Sequence, residues 1–376
     1  MSDTTTFAVG SNVLVAWEEN PRVQGGIKSN HINGKRTKKI VLPDGANQGL
    51  KPKPGQVWVC RVERVTNSKS QTHGAIIVRP LTLEIDGVFP GVWIDPAKGR
   101  LMAITLQNRE KNLMLEGDQG VGKSTISRAV AKKLGWQFRK VNGAQMKKFN
   151  YFLGRFRPEP KDGHMSFVWV DSKLSRYLRE AIQHRDREFL IMVDEYTRMD
   201  EDARDALLDV IEGVERVLTL PTGEELPVPQ NVHFMAAGNV GDGFTVRKED
   251  AAAKDRWVIV KVEHMPADAE LAHCLERYPG CPKGQLDKAI AIVNKVREVR
   301  NKPEMRLSKT VSTRALQNVS MFLQGGIELE LALMTAVANQ YSGSAADATS
   351  EAGRVAKLIA DELKKLDPAR ANTKSS

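Results

Sequence analysis

The residues Gly117-Asp118-Gln119-Gly120-Val121-Gly122-Lys123-Ser124 fit the pattern G-x-x-x-x-G-K-[ST]. In such a loop backbone N–H groups converge on phosphate oxygens, and the glycines keep Cβ atoms out of the anion's way. Lys123 would reach the β- and γ-phosphates of a nucleoside triphosphate, the Ser124 hydroxyl would ligate Mg²⁺, and Thr125 continues the same binding stretch. Further along, Asp194-Glu195 closes the apolar run Phe189 to Val193. There Asp194 would hold the metal, directly or through water, and Glu195 would orient and polarise an attacking water. Any strand can end in acids, and it is the phosphate loop upstream that gives this pair a meaning. Asn239, delivered by the apolar run Asn231 to Ala237, would hydrogen-bond that water or the γ-phosphate. The alternative is an Asn in a turn before Gly241 and Gly243. Arg256 taken alone reads as a surface arginine. In a ring of subunits it would reach the neighbour's γ-phosphate and neutralise transition-state charge.

The elements that must position these side chains alternate in type. Asn112 to Glu116 reads as a short buried strand, and Thr125 to Leu134 has helical spacing of apolar residues. Strand, glycine loop and helix in that order are the context a phosphate loop requires, against the alternative of a chance glycine loop before a helix. Leu101 to Leu106 predicts a helix ahead of them, which puts a domain boundary near residue 96. Beyond it come a strand over Trp136 to Val141, a hairpin up to Val170, and a helix over Ser172 to Gln183. Then follow the strand ending in Asp194, a helix over Asp202 to Glu212, a second hairpin over Val217 to Val228, and strands Asn231 to Ala237 and Val258 to Val262. Such alternation argues for a parallel sheet flanked by helices. From Pro266 the pattern is helical: Ala267 to Arg277, Gln285 to Arg300, Thr313 to Leu323, Leu329 to Asn339 and Glu351 to Leu366. Ser312-Thr313 caps one of these helices, so Arg314 lies in its first turn.

Residues 1 to about 95 are different. Phe7 to Trp17, Gln56 to Val65, Gly74 to Glu84 and Val88 to Ile94 read as short strands separated by Gly and Pro, which suggests a small OB-like or SH3-like barrel. Between Asn20 and Pro54, Arg22, Lys28, Lys35, Arg36, Lys38, Lys39, Lys51 and Lys53 face the single acid Asp44. Such a run would grip nucleic-acid phosphates, with Trp17, Trp58 and Trp93 as stacking faces. A solvated basic loop and core tryptophans is the plainer reading, and the one favoured.

The chain has 376 residues, 41% of them hydrophobic and 27% charged, which is ordinary for a globular protein of two or three domains. A net charge of +10 permits an acidic partner without demanding one. No apolar run approaches a membrane span, and the N-terminus lacks the features of a secretory leader, so a cytoplasmic protein without membrane association is expected. Three cysteines, Cys60, Cys274 and Cys281, are too few and too odd for a disulfide framework. His264, His273, Cys274 and Cys281 lie close in sequence but match no zinc spacing.

The order of these parts resembles the AAA+ ATPases, from about Leu101 to the end. Gly117 to Ser124 matches Walker A, Asp194-Glu195 matches Walker B, and Asn239 matches the sensor 1 position. Arg256 matches the arginine finger and Arg314 matches sensor 2. The two hairpins look like the helix-2 insert and the pre-sensor-1 insert. Those mark the branch of MoxR-like and dynein-related ATPases, McrB-type GTPases and replicative MCM helicases. Within it, Val193-Asp194-Glu195-Tyr196, Asn239-Val240-Gly241, Asp255-Arg256-Trp257 and Pro266 to Glu270 are similar to the AAA+ subunit of aerobic cobaltochelatase and its bacterial and phage relatives. The resemblance implies an α/β P-loop domain over 96–265, a helical lid over 266–367 and a tail over 368–376, with the β-rich domain over 1–95 in front. It also implies ATP and Mg²⁺ as ligands, a homo-oligomer that is a hexameric ring, and a partner protein, often one with a von Willebrand A domain. The N-terminal region has no counterpart in the chelatase subunit, and nothing here looks like a porphyrin or corrin site. Three uses of ATP stay open: remodelling a partner protein, work on nucleic acid through the basic N-terminal region, and a nucleotide-switched scaffold.

Overall fold

In the computed structural model the residues described are 8–20, 27–33, 35–36, 39–42, 52, 54, 57–65, 75–80, 92–108, 111–146, 152–161, 164–212, 215–239 and 255–366. The strand expected over Val88 to Ile94, most of the basic loop, the glycine-rich stretch after Asn239 and the C-terminal tail lie largely or wholly outside them.

The chain begins with β1 (Asn12–Glu19), β2 (Ile27–Ile32), β3 (Lys35–Arg36), β4 (Lys39–Val41), β5 (Val57–Val65) and β6 (Ala75–Pro80). They form one sheet in the order β3-β2-β1-β5-β6-β4, and β2 also lies against β4, so the sheet curls round its own core. That core holds Val15, Trp17, Ile32, Trp58, Val62 and Val78. Trp17 and Trp58 are packed edge to face with ring centroids 5.8 Å apart, at 4% and 2% exposure. They are core residues, and stacking on an unpaired base is not open to them. β1 starts later than its apolar run suggests and continues through Glu18 and Glu19, because these pair with Lys28 and Ile27 of β2. Both faces of β1 are covered. Val13, Val15 and Trp17 belong to the sheet's own core, whereas Leu14 packs into the next layer with Leu113, Val130 and Leu134.

That layer opens with α1 (Pro96–Gln107), whose cap Asp95 accepts from Lys98 N and whose first residue is proline. Next come β7 (Asn112–Gly117), α2 (Lys123–Leu134), β8 (Gln137–Asn142), the hairpin β9 (Gly154–Lys161) and β10 (His164–Asp171), and α3 (Lys173–Gln183). Then follow β11 (Phe189–Asp194), α4 (Glu201–Ile211), the short hairpin β12 (Val217–Thr219) and β13 (Glu225–Pro227), β14 (Val232–Asn239) and β15 (Trp257–Lys261). β7, β8, β11, β14 and β15 make a wholly parallel sheet in the order β15-β7-β14-β11-β8. Strands covered on both faces carry continuous apolar runs, and β11 is buried from Phe189 to Val193.

The remainder is helical: α5 (Ala267–Arg277), α6 (Lys283–Val299), α7 (Thr313–Gln324), α8 (Leu329–Ala336) and α9 (Glu351–Leu366). These share a core that includes Leu286, Val293, Leu316, Leu333 and Ile359. Cys274 and Cys281 are buried in it as free thiols. α8 stops earlier than the expected Asn339: at Val337 φ widens to −116°, and Ala338–Gln340 forms a 3₁₀ turn. The Glu270 carboxylate, fully buried, receives both Arg297 Nη atoms at 2.8 and 2.9 Å and the Thr313 hydroxyl at 2.7 Å. That network ties α5, α6 and α7 together, and removing one partner of such a buried pair costs about 3–5 kcal/mol. Among the described residues, no helix is long and apolar enough to cross a membrane.

Candidate nucleotide site

Parallel register brings the functional ends of the strands to one edge. Gly117, the last residue of β7, pairs with Asn239, the last of β14, while Asp194 at the end of β11 pairs with Asn142 at the end of β8. Because β14 lies between β7 and β11, Asn239 stands between the glycine loop and the acidic pair. This is the carboxyl edge, where open parallel sheets bind ligands. The loop turns into α2 through Gly120 (φ 86°) and Gly122 (φ 94°), left-handed conformations that suit glycine. Its N–H groups then lead into a helix N-terminus, which favours anions.

Each donor of the Lys123 ammonium is engaged: it gives hydrogen bonds to Gly117 O, Asp118 O and Asn239 Oδ1, all at 2.8 Å. Burial lowers its pKa to about 8, against a smaller opposing pull from Asp194. The Ser124 hydroxyl donates to Asp194 Oδ2 at 2.8 Å. Burial pushes the Asp194 carboxyl up. Bonds from Lys140 and Ser124 outweigh it, so the group is held ionised below the usual carboxylate range. Glu195 follows in the left-handed region (φ 54°), uncommon for a side chain with a Cβ and a conformation that collects at functional sites. The turn is hemmed in by Gly143, just after β8, where a Cβ would lie 2.7 Å from Glu195 O and 3.1 Å from Asp194 O.

The helical layer closes over the loop. Ser312, the cap of α7, sits against Gly120 so closely that a Cβ on Gly120 would be 2.3 Å from its own. Arg300, just past α6, donates to the Asp118 carboxylate at 2.8 Å. Arg314 is exposed and lines a cavity with Trp93, Gly120, Gly122, Thr125 and Met265. Arg256 is elsewhere. Trp257 pairs with Asn112, so Arg256 lies at the amino edge of the sheet, about five residues and roughly 16 Å from Gly117 along β7. There its Nε donates to Glu212 Oε2 at 2.6 Å.

Of the residues singled out in the sequence, Lys123 is therefore hydrogen-bonded to Asn239 and its neighbour Ser124 to Asp194, and Glu195 follows Asp194 in the chain. Gly120, Val121, Gly122 and Thr125 line a cavity beside the loop, Arg314 lines it too, and Arg256 is remote. Sequence reasoning did not pick out Lys140, Gly143 or Arg300. The two oxygens that meet at 2.8 Å, a hydroxyl and an ionised carboxylate, are hard donors of the kind that suits Mg²⁺ held jointly with substrate phosphates.

A parallel sheet with a glycine loop and an acidic strand end at its carboxyl edge defines a P-loop nucleotide-binding domain. Residues 112–257 match the family model described as AAA domain (dynein-related subfamily). The match supports an AAA+ ATPase of this branch, a class that binds ATP, generally with Mg²⁺, and commonly forms oligomers.

Proposed function

We propose that the chain hydrolyses ATP at this edge and uses the cycle to remodel a partner protein within a ring of its own copies. The observation that carries the reading is the pair of hydrogen bonds Lys123–Asn239 and Ser124–Asp194 at the carboxyl edge of the sheet. In this scheme the loop N–H groups and Lys123 bind the β- and γ-phosphates, and Val92, Trp93 and Met265 flank the base end of the cavity. Ser124 and Asp194 would hold Mg²⁺, which would supply positive charge against that developing on the phosphates. Glu195 accepts a proton from the water whose oxygen attacks the γ-phosphorus, and ADP departs with the bridging oxygen. Asn239 positions that water or the phosphate. Arg314 reports the γ-phosphate to the helical lid, and Arg256 serves the next subunit's nucleotide. Replacing Glu195 by Gln keeps the shape and removes the base. The variant should bind ATP normally and turn over at least about 100-fold more slowly, in line with general-base contributions. Single-turnover and equilibrium-binding assays check this, and robust turnover by the variant overturns the role.

As to the load, the likeness to MoxR-like and cobaltochelatase subunits supports a protein partner, a von Willebrand A domain protein being the first to try. The burial of Trp17 and Trp58 weighs against a stacking surface for nucleic acid. Steady-state ATPase rates with and without single- and double-stranded DNA, taken across salt, separate the two loads, since phosphate-driven binding falls steeply as salt rises.

A further inference from the structure

Both oxygens of the Asp194 carboxylate are committed to donors from the protein. Oδ1 accepts from the Glu195 backbone N–H at 3.0 Å. Oδ2 accepts from the Ser124 hydroxyl and also forms an ion pair with the Lys140 ammonium. Lys140 comes from β8, where it pairs with Met192 while Asn142 pairs with Asp194. Alternate residues share a face, so Lys140 lies on the same side of the sheet as Asp194, two residues back, and its flexible four-carbon stem covers the offset. Its side chain is 38% exposed, so burial is not what keeps a lysine there.

From this geometry we propose that Lys140 is a tethered counter-ion that makes the metal position answer to Mg²⁺ only when a triphosphate arrives with it. The inference rests on Asp194 being a metal ligand. A divalent ion taking Asp194 Oδ2 and the Ser124 hydroxyl must displace the ammonium or share its oxygen. With only two protein oxygens on offer, a cation that gives up its water reluctantly gains little from doing so. Phosphate oxygens tip the balance by completing its coordination. The displaced ammonium, held on its stem, stays beside the same edge as a further positive charge. Lys140 is thus a positioning residue that acts through Asp194.

The test uses Mn²⁺ as an EPR-visible substitute for Mg²⁺, titrated into the full chain with and without a non-hydrolysable ATP analogue. Without the analogue, Lys140→Met should bind Mn²⁺ up to about fivefold tighter than the unmodified chain, as a partly exposed ion pair no longer competes. Adding Asp194→Asn should abolish that gain, and Lys140→Arg, which keeps the charge, should behave like the unmodified chain. With the analogue, the unmodified chain and Lys140→Met should bind Mn²⁺ alike. Equal nucleotide-free affinity in the unmodified chain and Lys140→Met overturns the counter-ion role while leaving the site reading standing. If Asp194→Asn does not weaken Mn²⁺ binding even with the analogue, the metal-ligand reading itself falls, and the inference falls with it.

Discussion

Asn239 illustrates what single residues contribute. Its Oδ1 accepts from the Lys123 ammonium at 2.8 Å, and it stands between the loop and the acidic pair. On the proposed reading, a group placed there would act on charge that develops during phosphoryl transfer more than on the bound ground state, so Asn239→Ala should spare affinity and lower kcat. Losing one preorganised donor costs about 10²–10³ in kcat in comparable sites. The measurement is kcat against KM, together with direct binding of an ATP analogue. Weakened binding with kcat intact would assign Asn239 to ground-state recognition instead. The glycine loop, Asp194, Glu195 and Asn239 were readable in the sequence because each sits at the end of a locally recognisable strand. Lys140, Gly143 and Arg300 were not. Lys140 gains its role from the register of β8 beside β11, Gly143 from a turn it must pass, and Arg300 from docking of the helical layer on Asp118. Only Lys140 left a trace, as a cation two residues before the end of an apolar-flanked strand.

Among elements, residues 262–266 join β15 to α5 and so lead from the sheet into the helical layer. His264 lies in this junction, its Nε2 3.3 Å from the Thr310 hydroxyl. Its Nδ1 is buried without a partner among the described residues. Burial lowers its pKa to about 4, Arg297 adds to the drop and Arg300 adds a little more, while Glu270 and Asp118 pull the other way. The imidazole is therefore neutral in the folded chain down to about pH 4, whereas in the unfolded chain it takes up a proton near its ordinary value of 6.5. Between those limits the unfolded state binds more protons, so stability must fall as pH drops from about 6.5 towards 4, and His264 adds no further slope below that. Urea midpoints at pH 7, 5.5 and 4.5 should decline less for His264→Gln than for the unmodified chain, since the carboxylates are common to both. Parallel declines would remove His264 from this account. Element type was legible throughout the helical layer, and α5 and α9 have the bounds their periodicity predicts. β1 was misplaced because cross-strand pairing of Glu18 and Glu19 with β2 leaves no mark in apolar spacing.

At the scale of the whole molecule, the position of Arg256 decides what a complete site requires. The residue lies at the amino edge of the parallel sheet, about five strand residues from the phosphate loop of the same chain, and no side chain spans roughly 16 Å. Any action on a γ-phosphate must be on that of another copy, and a head-to-tail contact of this kind closes into a ring when its rotation permits. The consequence can be counted. Lys123→Ala and Arg256→Ala should each be inactive alone, the first for want of phosphate binding and the second for want of the finger. In an equal mixture, a site is whole only where an Arg256→Ala subunit supplies Lys123 and its neighbour, a Lys123→Ala subunit, supplies Arg256. Random assembly through a single heterologous interface makes that about one site in four. ATPase activity should therefore rise on mixing to about a quarter of the unmodified level, less if neighbouring sites must fire in concert. The rise should also grow with protein concentration, as assembly does. Mixtures that stay inactive under conditions where light scattering shows mixed oligomers would confine Arg256 to its own chain, where it pairs with Glu212.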